Sequence, residues 1–350
     1  MKLRWGRIIF ALFILVVIIG VIVYFVFFNK KEVEEEEPGV VENPTPVEEK
    51  KLQILDLESD SRPISVMINN HKTAQPLQTG LNDAYLVYEI VVEGGITRML
   101  AVFKDADTEI IGTVRSSRHY FLDYAQENDA VYVHYGWSPQ AEEDIYNLGI
   151  NNINGMVDGS PFWRDTSLDV PTEHTVYTSI EDLEQSIENK RYRITSEEDT
   201  LLKYSIDEID LSIMDGATKA DEIEIEYSSY QTNTFVYDET NKVYKKYSNG
   251  EERKDYVTGE IFTAKNIITY QVSNYSMDSY GRQEIENIGR GEGYLISNGY
   301  AVPITWEKDA PSRQTVYKFL NGEEITVNDG NTYIQIQPKN KNIEISQKMS

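Results

Sequence analysis

The segment Gly112 to Trp137, GTVRSSRHYFLDYAQENDAVYVHYGW, gathers the residues best equipped for chemistry. Arg115, Ser116, Ser117, Arg118 and His119 follow one another directly, with Glu89, Glu93, Arg98, Asp123, His134 and Arg164 not far off in sequence. A guanidinium can grip a carboxylate or phosphate through two parallel hydrogen bonds, and a neighbouring carboxylate can act as acid or base. A polar cleft formed by Glu89, Glu93, Arg98, Arg115, Ser116, Ser117, Arg118, His119 and His134 is therefore the expected ligand site. The same groups fit two other roles. Glu89, Glu93 or Asp123 could serve a hydrolase together with a histidine; glycoside cleavage would need two carboxyls roughly 5 to 10 Å apart across a groove. Alternatively the charges form a partly buried network that only fixes strand ends.

Other motifs are weaker. Ser116 and Ser117 lack the G-x-S-x-G elbow of hydrolase nucleophiles, and a serine before a helix is usually its cap. The four histidines, His71, His119, His134 and His174, fit no zinc spacing such as H-E-x-x-H, so no metal site is expected. Gly289-x-Gly291-x-Gly293 lies between β segments with no helix to follow and reads as a turn, so no cofactor is expected either. The 24 tyrosines and the exposed-looking Trp137, Trp163 and Trp306 suit a sugar- or peptide-binding surface. Tyrosine is equally a common strand former.

Several elements must position these groups. An apolar run over Glu109 to Val114, the polar Arg115–Arg118, helical spacing of Phe121, Leu122 and Ala125, and the run Ala130 to Val133 predict strand, turn, helix, strand. That turn would lie at a strand end, where open α/β sheets hold ligands. Ile64 to Ile68 alternates as a strand, and Leu86–Val92 and Ile96–Phe103 predict a hairpin about Glu93-Gly94-Gly95. Within it Glu89 and Glu93 should share a face. Ser138-Pro139 begins one helix and Ser179 with Asp182 caps another. The pattern weakens from Arg191 to Asp221, beyond which short strands and turns alternate to Ile336. The expected fold is α+β: an N-terminal α/β-type domain with a mixed sheet over 62–205, then a mainly antiparallel β domain over 220–340.

Preceding both, residues 1–7 form a basic stub and 8–28 an uncharged run long enough to cross a bilayer. Its bulky end, Val23 to Phe28, favours an uncleaved signal anchor over a cleavable peptide, with the remainder outside the cytoplasm. Residues 29–61, rich in Glu with Pro38, Pro44 and Pro46, predict an acidic linker. Beyond position 31 there are 28 Lys and Arg against 58 Asp and Glu, which disfavours nucleic acid and leaves cations, cationic peptides or a protein partner. The absence of cysteine excludes disulfides.

Three segments carry a resemblance: Arg62-Pro63-Ile64-Ser65-Val66-Met67-Ile68-Asn69-Asn70, Glu93-Gly94-Gly95-Ile96-Thr97-Arg98 and Gly112-Thr113-Val114-Arg115-Ser116-Ser117-Arg118. They resemble the N-terminal domain of the YerB-like bacterial envelope proteins. Ala264 to Ile268, Gly289 to Gly293 and Thr305 to Lys308 are similar to that family's C-terminal domain. The resemblance implies an extracytoplasmic two-domain protein of a Gram-positive-type organism, with no activity attached. Members of that family look like lipoproteins held by an N-terminal cysteine; this chain has none, so its expected anchor is the helix. The functional expectation is a membrane-anchored protein that binds a cell-envelope component or an envelope protein partner.

Overall fold

The computed structural model describes residues 3–28 and 51–348. The described residues fall into two units, one within 1–49 and the other within 50–350. In the first, α1 (Leu3–Phe28) is a single helix of 26 residues without a charge after Arg7. The side chains of residues 3–8, 11 and 28 lie outside the described set. Over the remaining ones no unbroken window has the length and hydropathy of a membrane span, so a transmembrane role does not follow from the fold. The expected stub (1–7) falls partly, and the linker up to residue 50 wholly, outside the described residues. Residues 51–61, the last part assigned to the linker, pack onto the larger unit: Leu55 is buried, and the Gln53 and Ile54 amides donate to the Asp329 carboxylate.

The larger unit is organised by a 12-stranded sheet that both sequence regions build. From the first come β1 (Ile64–Asn69), β2 (Leu86–Val91), β3 (Thr97–Phe103), β4 (Val131–His134) and β5 (Asn152–Asn154). The second adds β6 (Glu222–Ser228), β7 (Gln231–Asp238), β8 (Val243–Ser248), β9 (Asn266–Ser276), β10 (Gly289–Ser297), β11 (Tyr300–Lys308), β12 (Thr332–Pro338) and β13 (Ile343–Ser346). Along the main sheet the order is β11-β10-β9-β12-β2-β3-β1-β4-β5. Strand β12 runs parallel to both β9 and β2 and so joins the two regions at mid-sheet. A second sheet, β8-β7-β6-β13, completes the β-rich part. The boundary expected near 191–221 therefore separates two kinds of sequence but not two cores. Val66, Leu100, Phe235 and Tyr333 belong to one buried cluster.

Local signals hold where they are strong. The hairpin of β2 and β3 forms in the register Val91↔Thr97, with Gly94 and Gly95 at φ values of 70° and 75° that favour glycine. Three helices follow in the larger unit: α2 (His119–Glu127), α3 (Pro139–Asn147) and α4 (Ile180–Lys190). Ser138 Oγ accepts the Ala141 amide at 3.3 Å and Ser179 Oγ that of Asp182 at 3.1 Å, as N-caps do. Helix α2 buries Phe121, Leu122 and Ala125 as their spacing predicts.

Candidate functional site

The Arg115–Arg118 segment is a strap, not the turn at the end of a sheet strand. Of the expected strand 109–114, only Ile111–Gly112 is paired as a strand, and it joins a small sheet with Val176–Thr178 and Trp163–Arg164. Gly112 permits that crossing: a Cβ there would lie 2.5 Å from the Tyr177 ring. The chain then runs across the carboxyl ends of β1 and β4. Arg115 N donates to Met67 O at 2.9 Å, Tyr135 N to Arg115 O at 3.0 Å and Ser117 N to Gly136 O at 2.9 Å. The candidate groups thus reach the strand ends by a different route from the one expected.

An open groove of about 470 Å³ lies beside the strap, lined among others by Arg115, Ser116, Tyr135, Trp137, Met156 and Arg164. Arg164 lies over the Tyr135 ring, 4.8 Å from its centroid. The Arg115 guanidinium donates to the backbone oxygen of Glu173 at 3.1 Å. Burial, opposed by Glu173 and reinforced by Arg118 and Arg164, lowers its pKa from the usual value. Two arginines and two aromatic rings can hold an anionic group and stack on a ring or apolar face of the same ligand.

Behind the strap the charges are spent internally. Arg98 is buried and donates to Ser116 O at 2.7 Å; burial, then Arg118, push its guanidinium down to about 9. Arg118 forks onto Glu93, with Nε–Oε1 at 2.5 Å and Nη2–Oε2 at 3.0 Å. Ser117 Oγ is sealed and accepts from the Tyr132 hydroxyl at 2.8 Å. His134 contacts Gly136 O at 2.7 Å through Nδ1, and burial depresses it to about 4. These groups fix the strap rather than face a ligand.

Two expected members lie elsewhere. Glu89 is fully buried and pairs with Lys246 at 2.7 Å, with further hydrogen bonds from Asn70 and Thr97. Burial alone would raise its pKa, but Lys246, with hydrogen bonds from Asn233 and Thr97, holds it below the usual carboxylate value. Glu89 and Glu93 do not meet on one face, because Glu93 has left the strand for the 3-10 turn 93–95. His119 contacts Glu284 at 3.1 Å in a second groove of about 720 Å³, which also holds Asp123, Asp144 and Glu286. There burial raises the Asp123 carboxyl to about 6, against a 2.8 Å hydrogen bond from Asn287. Trp306, expected on the surface, is buried. Only Arg115 and Ser116 of the nine expected residues line the first groove. Arg164 was legible among the charged residues near the strap in sequence, whereas no local pattern marks Tyr135 or Met156.

Residues 52–193 match the family described as "Protein of unknown function (DUF3048) N-terminal domain", and residues 223–334 match its C-terminal domain. The chain belongs to the DUF3048 family. Within that family it is 31% identical over 276 residues to "Putative lipoprotein YerB" of Bacillus subtilis (strain 168), covering 78% of this chain and 77% of that protein. The crystal structure of YerB from Bacillus subtilis superposes with a TM-score of 0.71 at 29% identity, covering 84% of this chain and 99% of that one. The YerB-like resemblance of the sequence motifs is thereby confirmed. The strap and the residues that line the groove fall inside the N-terminal DUF3048 match.

Proposed function

We propose that this DUF3048 protein is held at the membrane by α1 with its folded part outside the cytoplasm, where the groove beside Arg115 and Arg164 binds an anionic component of the cell envelope or an acidic partner. The observation that carries this reading is the groove itself: two arginines and the rings of Tyr135 and Trp137 on one open surface of a chain with formal charge −25. Cations concentrated against such a background give selectivity for a local anion. For the anchor, the run Ile8 to Phe28 spans about 30 Å as a helix, and the lipoprotein description of YerB supports the same compartment by a different attachment. The test is co-sedimentation of the full-length protein in detergent with purified anionic wall polymer. Loss on Arg115→Ala/Arg164→Ala, with unchanged thermal unfolding, supports the reading; equal sedimentation sinks it.

A hydrolase remains the second reading, now with Asp123 and His119 as its residues. Its support is the Asp123 carboxyl, which stays protonated at mildly acid pH in the larger groove. Turnover of wall fragments that survives in Asp123→Asn would remove it.

A further inference from the structure

Three segments converge next to Arg115: Asn69 to Thr73 at the end of β1, the strap, and Glu173 to Val176. Asn69 N donates to Thr113 O at 2.8 Å and Val114 N to Val176 O at 2.8 Å. The crossing brings His71 and His174, remote in sequence, into a parallel stack with ring centroids 4.8 Å apart at 12°.

The tautomers of both rings follow from their donors. The backbone N–H of His71 lies 3.1 Å from Asn69 Oδ1, which must therefore accept. The other amide atom, Nδ2, is then a donor, and it lies 2.9 Å from His174 Nδ1. Thr73 N–H likewise donates to His71 Nδ1 at 3.1 Å. Each Nδ1 is an acceptor, so each neutral ring carries its proton on Nε2. A metal at either Nε2 would require the opposite tautomer, with N–H facing N–H. Neither Nε2 has a protein hydrogen-bond partner among the described residues, and neither is among the sealed unsatisfied atoms. Burial, then His71 and Arg115, lower the His174 pKa, opposed by Glu173, which favours the neutral ring.

We infer that His71, His174 and Arg115 form one oxyanion subsite beside the groove, next to its lining residue Glu173, where two neutral imidazoles donate through Nε2–H and Arg115 supplies the charge. This rests on the groove reading above and names the ligand chemistry: a phosphoryl group or, with fewer oxygens to satisfy three donors, a carboxylate. Asn69 acts as a positioning residue, since its amide sets the His174 tautomer.

The experiment is NMR of full-length protein in detergent with ¹⁵N-labelled histidine, titrated with inorganic phosphate and, separately, acetate. His71 and His174 should show Nε2–H tautomers whose Nε2 signals move on adding phosphate. Movement with acetate alone would keep the subsite and assign it to carboxylates. His71→Ala and His174→Ala should each weaken binding of the active probe about tenfold, the scale of one hydrogen bond to a charged group. Asn69→Asp, which would draw the His174 proton to Nδ1, should weaken it while keeping the fold. Nδ1–H tautomers in the wild-type protein, or signals unmoved by either anion, would overturn the subsite. If Arg164→Ala abolishes polymer binding while both histidine variants retain it, the groove stands and the subsite falls. If none of the three matters, both fall.

Discussion

The ammonium of Lys246 lies 2.7 Å from the carboxylate of Glu89, and both side chains are sealed from solvent. Lys308 repeats the arrangement with Glu127 at the same distance, where Thr315 and the Tyr88 hydroxyl also donate to the acid. In both pairs the acid comes from the region before residue 200 and the base from the region after it. Each region alone would leave a charge buried without its counter-ion, at a cost of several kcal/mol.

Removing one member of such a pair should therefore be severe. Lys246→Ala or Lys308→Ala is expected to lower unfolding free energy by about 3–5 kcal/mol, since a bare carboxylate stays behind. Glu89→Leu/Lys246→Met should recover most of that loss. Urea midpoints of Glu89→Leu, Lys246→Met and the double decide it; a double as unstable as the sum of these singles would contradict the coupling.

Asp123 and His134 should tilt the pH dependence of stability in opposite senses. Asp123 is raised to about 6, so its contribution is full below the ordinary carboxylate value of about 4 and fades as pH rises through 6. His134 is depressed to about 4, so its contribution is full above the ordinary value of about 6.5 and fades as pH falls through 4. Asp123→Asn is expected to raise stability at pH 7 by roughly 1–3 kcal/mol, and His134→Gln to flatten the acid limb. Denaturation midpoints at pH 4, 5.5 and 7 separate the two slopes.

Much of the local structure was legible because its causes are local. Ser138, Ser179 and the Gly94-Gly95 turn each act within a few residues, and the spacing of Phe121, Leu122 and Ala125 shows which face of α2 is buried. The composition of the candidate site was not legible, since its geometry comes from the topology. Glu89 reads as half of a carboxylate pair with Glu93 until β8 delivers Lys246 against it. Residues 109–114 read as a sheet strand, yet β1 already fills that place between β3 and β4. His71 and His174 carry no spacing signal at all; only the crossing of three segments stacks them.

Gly95 should not tolerate a side chain. Its φ of 75° disfavours one, and a Cβ would approach Ser228 of β6 to 2.9 Å, where Ser228 Oγ donates to Gly95 O at 2.5 Å. Gly95→Ala is expected to cost about 1–3 kcal/mol, measured by thermal unfolding, whereas Gly94→Ala, with open space around it, should cost less.

Stacking in the groove has an optical handle. Trp137 lines it and lies near His134, so an anionic ligand should change tryptophan emission with a salt-sensitive affinity. Trp137→Phe should remove most of that change, and Arg115→Ala should reduce affinity without removing it. An emission change that persists in Trp137→Phe would place the ligand elsewhere.

The insertion of β12 between β9 and β2 bears on the order of assembly. A ribosome delivers residues 332–338 long after residues 86–91, so until then β2 presents an unpaired edge, open to any extended chain it meets. The early part of the polypeptide cannot mature on its own before β12 has been made. Halting synthesis just before Thr332 should accordingly yield aggregate or degraded chain, not a trimmed but serviceable protein.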